Sequence, residues 1–190
     1  MLRQGHLIVH PTEGVYGIAA DACSGPALDR LEALKGRVPG RGWVLVAASR
    51  EAACLWLEPD PAVLRLLEHP WSGPVTVVAR ATRAAPPRVV AADGSIAMRI
   101  DRHPIVAALG ALLQRPWVTT SLNPPGTPPL DDLSALPTDL AQALAAECDG
   151  LPRPTGTPST LIRCHATGLT VLRAGAVPWE ELRAVSDAPA

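Results

Sequence analysis

Two hydrophobic periods alternate along this chain. Short apolar runs, most of them ended by proline, glycine or polar residues, predict strands at 6–10, 43–48, 74–80, 95–100, 117–121 and about 159–163 and 169–173. Apolar residues spaced three or four apart predict helices at 25–35, about 50–57, 61–68, 104–113 and 137–147, and a last one from Pro178. Regular alternation of the two element types predicts an α/β protein with a twisted mixed sheet flanked by helices.

The helix at 25–35 has a signal at each end. Ser24 is a favoured N-cap residue, and Gly36 can take the left-handed conformation that commonly follows a helix. The last residue, Lys35, is the only lysine in a chain with sixteen arginines. If the chain becomes extended at Gly36, Lys35 and Arg37 point the same way and can hold phosphate oxygens. Alternatively, the two bases only complement the negative end of the helix dipole.

Composition predicts one compact domain over residues 1–190, because 47% of the residues are hydrophobic and no linker-like segment interrupts the elements. The net charge of −1 argues against strong nucleic-acid binding through the overall field. Residues 35–42, however, carry three basic side chains and no acidic one. A local basic pocket of this kind suits a small anionic ligand.

Several other functional classes are disfavoured. The four cysteines are scattered without a CxxC pair, so we expect reduced thiols, a cytoplasmic location and no protein-ligated metal. His6 and His10 share a strand face but lack a third ligand. The longest apolar run, 105–113, is too short to span a membrane. P-loop, GxSxG and HExxH motifs are absent from the sequence.

Polar residues gather where predicted strands end, the usual place for a ligand site in an α/β sheet. The segments are HPTEGVYG (10–17), VTTSLNPPG (118–126), and PST (158–160) with LRAG (172–175). Each one alone is also compatible with an ordinary capped turn. Hydroxyl and amide groups of the second segment suit hydrogen bonding to a nucleotide or an amino acid.

Taken in order, the segments HPTEGVYG, LKGRVPGRG, WSGPVT, IAMRIDRHP, VTTSLNPPG and PSTLIR…VLRAG resemble the successive motifs of the YrdC-like family, the threonylcarbamoyl-AMP synthases. The resemblance spans roughly residues 5–175 and is to the short bacterial form. It implies one α/β domain around a basic cavity. It also implies a reaction of L-threonine, bicarbonate and ATP, with Mg²⁺ carried by ATP, and tRNA-modification proteins as partners that use the product.

The resemblance assigns roles to ten residues of this chain. Lys35 and Arg37 would be catalytic and hold the ATP phosphates. Further residues on the ATP side would be Ser95, Ser121, Asn123 and Arg173. The threonine would be surrounded by Thr12, Arg99, Thr119 and Ser159. Because the carbamate itself attacks phosphorus, no side-chain nucleophile is required.

The sequence departs from the family pattern in three places. The first strand begins close to Met1, Leu122 stands between Ser121 and Asn123 before two prolines, and Arg41 replaces a common lysine. These departures leave open a divergent YrdC-like protein that binds a nucleotide, or RNA weakly, without synthase activity.

Overall fold

One mixed sheet organises the computed structural model, which describes residues 1–36, 42–148, 150–165 and 168–186. The strands are β1 (Ile8–His10), β2 (Gly17–Ala20), β3 (Val44–Ala47), β4 (Val75–Arg80), β5 (Ser95–Ile100), β6 (Trp117–Ser121), β7 (Ala146–Glu147), β8 (Thr160–His165) and β9 (Gly168–Arg173). The α-helices are α1 (Gly25–Lys35), α2 (Arg50–Cys54), α3 (Pro61–Glu68), α4 (Pro104–Leu113), α5 (Thr138–Gln142) and α6 (Trp179–Ser186). Short 3₁₀ turns lie at Leu2–Gln4, Pro87–Val89 and Leu133–Ala135.

The strand order is β7-β1-β2-β6-β3-β5-β4-β8-β9. The pairs β1/β7, β3/β5 and β4/β8 are parallel, and the other neighbours are antiparallel. The predicted α/β class with a large mixed sheet and flanking helices is confirmed.

Local signals explain where the helices begin. The Ser24 side chain accepts a hydrogen bond from the Ala27 amide at the start of α1, and Gly36 ends that helix at φ 56°. Asp60 caps α3 in the same way, with Pro61 in the first turn. Each cap satisfies amide groups that have no partner within the helix, so the predicted starts of these helices are confirmed.

The larger core lies on one face of the sheet. Side chains from alternate strand positions, such as Ile18, Leu45 and Met98, are fully buried there. Helices α1, α2, α3 and α6 supply the covering residues of the same cluster, including Leu31 and Leu182. This face therefore has the continuous apolar character of an ordinary α/β core.

On the opposite face, the described part of the chain packs an α-helix against one end of the sheet. There Ile8, Ala19, Val46 and Trp117 pack against α4. The strands continue beyond α4, and the register brings polar side chains onto the same face, because residues two apart on a strand share a face. The part of this face beyond α4 forms the cavity described below.

Three sequence predictions were wrong in detail. Strand β2 was not predicted, although it pairs with both β1 and β6. The predicted helix 137–147 ends at Gln142, and Ala146 then pairs in parallel with Ile8. Hydrogen bonding to the edge of β1 that does not face β2 overrides the helix propensity of this alanine-rich segment. The helix predicted at 50–57 ends at Cys54, since Leu57 forms a bridge to Ala81.

Every helix in the described part of the chain is too short or too polar to cross a membrane.

Candidate functional site

A cavity of about 290 Å³ lies on the sheet face beyond α4. Six of the ten residues predicted for the site line it: Thr12, Arg99, Thr119, Ser121, Ser159 and Arg173. The other lining residues are Val15, Gly17, Val44, Thr120, Pro158 and Leu161. Segments far apart in sequence thus converge at neighbouring strand ends, as a site in an α/β sheet requires.

Arg99 supplies a buried positive charge to the lining of the cavity. Its Nε lies 3.1 Å from Asp101 Oδ2, and both side chains are almost fully buried. Asp101 also accepts hydrogen bonds from the backbone amides of Glu13, at 3.3 Å, and His103, at 3.1 Å. The carboxylate therefore compensates Arg99 and joins the loop after β1 to the end of β5.

A second guanidinium, that of Arg173, reaches the cavity from β9. It donates to the Ser159 carbonyl at 2.8 Å and to Ser159 Oγ at 3.1 Å. Burial lowers the pKa of Arg173, and the positive charge of Arg99 lowers it further. Two guanidiniums that repel each other in a partly enclosed space favour an anion between them.

The Ser159 hydroxyl is part of a buried pair with Thr76. Their oxygens lie 2.7 Å apart, and Thr76 belongs to β4, next to β8 in the sheet. Contacts from Arg173 and Thr76 together hold Ser159 in one place. Sequence reasoning assigned no role to Thr76, the second residue of a largely apolar strand.

Thr12 shapes the loop after β1. Its hydroxyl donates to the Val15 carbonyl at 2.7 Å and accepts a hydrogen bond from the Val15 amide at 3.3 Å. The loop is therefore a side-chain-capped turn that also lines the cavity. Burial, followed by the charge of Asp101, raises the pKa of Glu13 beside it.

His10 contacts Thr119, one of the residues that line the cavity. His10 Nε2 lies 3.2 Å from Thr119 Oγ1, and His10 Nδ1 lies 3.0 Å from the Pro11 carbonyl oxygen. Burial lowers the pKa of His10 to about 4. Gly17 makes this contact possible, since a Cβ at that position would lie 2.5 Å from Thr119 Oγ1. The sequence had suggested His10 only as one half of an incomplete metal pair.

Lys35 holds the loop that follows β6. Its Nζ donates to the Ser121 carbonyl at 3.0 Å, the Asn123 carbonyl at 2.8 Å and Asn123 Oδ1 at 3.0 Å. An ammonium suits three oxygens that converge on one point, whereas a planar guanidinium does not. This geometry gives a reason for a lysine here that the helix dipole does not. Arg37 lies outside the described residues.

The loop itself is ordered by its own polar groups. The Ser121 hydroxyl donates to Asn123 Oδ1 at 2.6 Å, and Asn123 Nδ2 donates to the Thr127 carbonyl at 2.5 Å. Leu122, a departure from the family pattern, is fully buried in the larger core, and its amide donates to the Tyr16 carbonyl at 2.8 Å. Leu122 therefore anchors this loop without disturbing the polar residues on either side.

Ser95 lies apart from the other described site residues. It begins β5 and lies on the same face as Arg99, roughly 13 Å away along the strand. Its hydroxyl donates to Asp93 at 2.5 Å, and Arg163 donates to it at 3.3 Å. Hydrogen bonds from the Ser95 side chain and amide, helped by Arg163, lower the pKa of Asp93 to about 2. This cluster lines a separate depression.

Within the described ranges, no three histidine, cysteine, aspartate or glutamate side chains come together in a way that could hold a metal ion. Of the described residues that line the cavity, the charged ones are the two arginines, and their chemistry is that of an anion site.

Comparisons with known proteins point to one family. A model of the Sua5/YciO/YrdC family, described as "Telomere recombination", matches residues 1–175. A protein named threonylcarbamoyl-AMP synthase from Halorhodospira halophila is 34% identical over 159 residues, which cover 81% of this chain and 83% of the relative. One of the same name from Coxiella burnetii is 32% identical over 168 residues, covering 88% and 90%.

Solved structures share the fold. The crystal structure of P. abyssi Sua5 complexed with L-threonine is 28% identical and superposes with a TM-score of 0.86, covering 97% of this chain and 54% of that one. The crystal structure of E. coli YciO is 23% identical and superposes with a TM-score of 0.84; the match covers 95% of this chain and 88% of YciO.

Proposed function

Since the chain belongs to the Sua5/YciO/YrdC family, we propose that it makes threonylcarbamoyl-AMP from L-threonine, bicarbonate and ATP and releases pyrophosphate. The observation that carries the proposal is the cavity in which two arginines, the buried Arg99 and the more accessible Arg173, meet several hydroxyl groups. Such a cavity matches an amino acid that bears a carboxylate, an amine and a hydroxyl.

The resemblance assigns Arg99 to the threonine and Arg173 to the ATP side, but both guanidiniums line one cavity, and we propose that both serve the threonine carboxylate. Asp101 neutralises part of the charge of Arg99, whereas within the described part of the chain Arg173 donates to two neutral oxygens, the carbonyl and the hydroxyl of Ser159. Arg173 therefore brings the less compensated charge to an incoming anion. Hydroxyls of Thr119 and Ser159 lie in the same cavity and can bind the remaining polar groups of the ligand.

The reaction needs positioning and charge stabilisation more than a nucleophilic side chain. The threonine ammonium group first loses a proton, and the resulting amine then attacks the bicarbonate carbon, so that water leaves and a carbamate forms. A carbamate oxygen then attacks the α-phosphorus of ATP as the bond to pyrophosphate breaks. Hydrogen-bond donors that hold both partners in line supply most of the acceleration in such a step.

The Lys35 ammonium and the loop 121–123 have a positioning role in this proposal. Three hydrogen bonds from Lys35 fix Ser121 and Asn123, and Ser121 lines the cavity. For Lys35 to bind phosphate as well, one or more of these three hydrogen bonds must be replaced by hydrogen bonds to phosphate oxygens. Arg37 remains a predicted phosphate ligand, Ser95 a predicted ATP contact, and Mg²⁺ enters with ATP.

The product carries an activated threonylcarbamoyl group on AMP. Relatives of this chain bear the name of the synthase that makes it. We propose that tRNA-modification proteins take this group from the product and transfer it to an adenosine.

Pyrophosphate release tests the proposal. Purified protein with ATP and Mg²⁺ should release pyrophosphate only when both threonine and bicarbonate are added. Arg173→Met should reduce the rate, whereas the matched control Arg50→Met changes a surface residue paired with Glu68 and should keep it. Folded wild-type protein without threonine-dependent release contradicts the proposed function.

A further inference from the structure

The hydrogen-bonding state of His10 can be deduced from its two partners. Nδ1 lies 3.0 Å from the carbonyl oxygen of Pro11, which can only accept a hydrogen bond. Nδ1 must therefore carry a proton. Because the ring is fully buried and its pKa is about 4, it is neutral near pH 7, and Nε2 is then unprotonated.

That state decides the direction of the Thr119 hydroxyl. Thr119 Oγ1 lies 3.2 Å from His10 Nε2, an acceptor, so the hydroxyl proton must point at the ring. A hydroxyl has one proton and two lone pairs. Because the hydroxyl proton of Thr119 is engaged in the hydrogen bond to His10, the Thr119 oxygen can only accept a hydrogen bond from a ligand in the cavity.

The surrounding structure supports this contact. His10 ends β1 and Thr119 lies on β6, and β2 separates the two strands. The pairing places both of them beside Gly17, because His10 pairs with Gly17 and Thr119 with Ala19. A side chain at Gly17 would fill the gap across which the two meet, 2.5 Å from Thr119 Oγ1 and 3.3 Å from His10 Nε2.

We propose that His10 is a positioning residue that turns Thr119 into a hydrogen-bond acceptor for an N–H or O–H group of the bound amino acid. The identity of the amino acid rests on the proposed function. The two arginines of the cavity recognise the negative end of this ligand, and Thr119 recognises a donor. His10 itself touches Thr119, not the reacting atoms.

The first test is made without any ligand. Full-length protein labelled with ¹⁵N-histidine gives two-bond ¹H–¹⁵N correlations that distinguish the two neutral forms and the charged ring, and His10→Gln identifies the His10 signals. The inference requires a protonated Nδ1 and an unprotonated Nε2 at neutral pH. A protonated Nε2 overturns it.

The second test is a double-mutant cycle on L-threonine binding, measured by calorimetry. Thr119→Val and His10→Leu should each weaken binding by roughly three- to tenfold, the loss of one hydrogen bond. His10→Leu should add little in the Thr119→Val background, because no hydroxyl is left to orient. If the double variant weakens binding by the product of the two single effects, the residues act independently, His10 has a merely structural role, and the inference is overturned.

Two further variants separate orientation from packing. His10→Gln can place a carbonyl oxygen near the position of Nε2 and should restore part of the lost affinity. His6→Leu, the same replacement at an exposed histidine, should leave threonine affinity unchanged. Failure of His10→Gln to recover affinity, when its thermal unfolding matches that of His10→Leu, contradicts the inference.

L-2-Aminobutyrate, which lacks the threonine hydroxyl, identifies the donor on the ligand. If Thr119→Val weakens the binding of both compounds, the donor is the ammonium group. If it weakens only L-threonine binding, the donor is the hydroxyl; an effect on neither overturns the inference. Threonine binding without product formation contradicts the proposed function alone, whereas product formation with an additive cycle contradicts the role of His10 alone.

Discussion

Burial of His10 should make the stability of this protein sensitive to mild acid. The ordinary pKa of histidine is 6.5, and burial lowers that of His10 to about 4 in the folded protein. Below pH 6.5 the unfolded chain takes up a proton that the folded chain does not bind. The free energy of unfolding is therefore highest above about pH 7 and decreases as the pH falls toward 4.

The size of this effect follows from the two pKa values. With pKa values of 6.5 unfolded and about 4 folded, the contribution of His10 falls by about 2 kcal/mol between roughly pH 7.5 and pH 5. The charge of Asp101 raises the pKa of His10, and Arg99 and His103 lower it, but burial has the largest effect. Glu13 has the opposite effect on stability: its pKa is raised in the folded protein, so the folded state binds a proton more readily and is favoured as the pH falls.

Urea unfolding at the two pH values measures the effect. His10→Gln removes the titrating ring, so its loss of stability between pH 7.5 and pH 5 should be about 2 kcal/mol smaller than that of the wild type. His6→Gln, which changes an exposed histidine, should keep the wild-type dependence. Equal pH dependence of wild type and His10→Gln would refute the reasoning, as would an NMR titration in which His10 becomes protonated above pH 6.

Three other substitutions test separate parts of the structure. Lys35→Arg should lower the rate of pyrophosphate release at least tenfold without unfolding the protein, because a planar guanidinium cannot meet the three loop oxygens; a wild-type rate contradicts this. Gly17→Ala should reduce stability by about 1–3 kcal/mol in urea unfolding and weaken threonine binding, since its Cβ collides with Thr119. Ser24→Ala should cost about 1 kcal/mol of stability through loss of the α1 cap and leave the activity unchanged; a large loss of activity would argue against a purely capping role.

Elements with strong local signals could be predicted from the sequence. Helix α1 begins after Ser24 and ends before Gly36 as predicted, and β5, α4 and β6 have the predicted bounds. Strand β2 was missed because its sequence, GIAA, has small residues and a single β-branched one. It forms through pairing on both sides, which a local pattern does not reveal.

The convergence of the candidate-site residues was predictable as far as it depends on strand ends. Polar residues that follow or end β1, β6 and β9 converge in one cavity, and the order of the motifs indicated this. The pairing of His10 with Thr119 joins residues 109 positions apart and has no local signature. The partners of Lys35 were also not predictable, because Ser121 and Asn123 are brought to the end of α1 only by the sheet order.

The most direct test of the central claim follows the carbon of bicarbonate into the product. Wild-type protein is incubated with ATP, Mg²⁺, L-threonine and ¹³C-bicarbonate, and the products are analysed by mass spectrometry. Threonylcarbamoyl-AMP should appear with the ¹³C label and in step with pyrophosphate, and it should be missing when threonine is omitted. Pyrophosphate without the labelled adduct, or no product from folded protein, would contradict the assignment of this cavity to the synthase reaction.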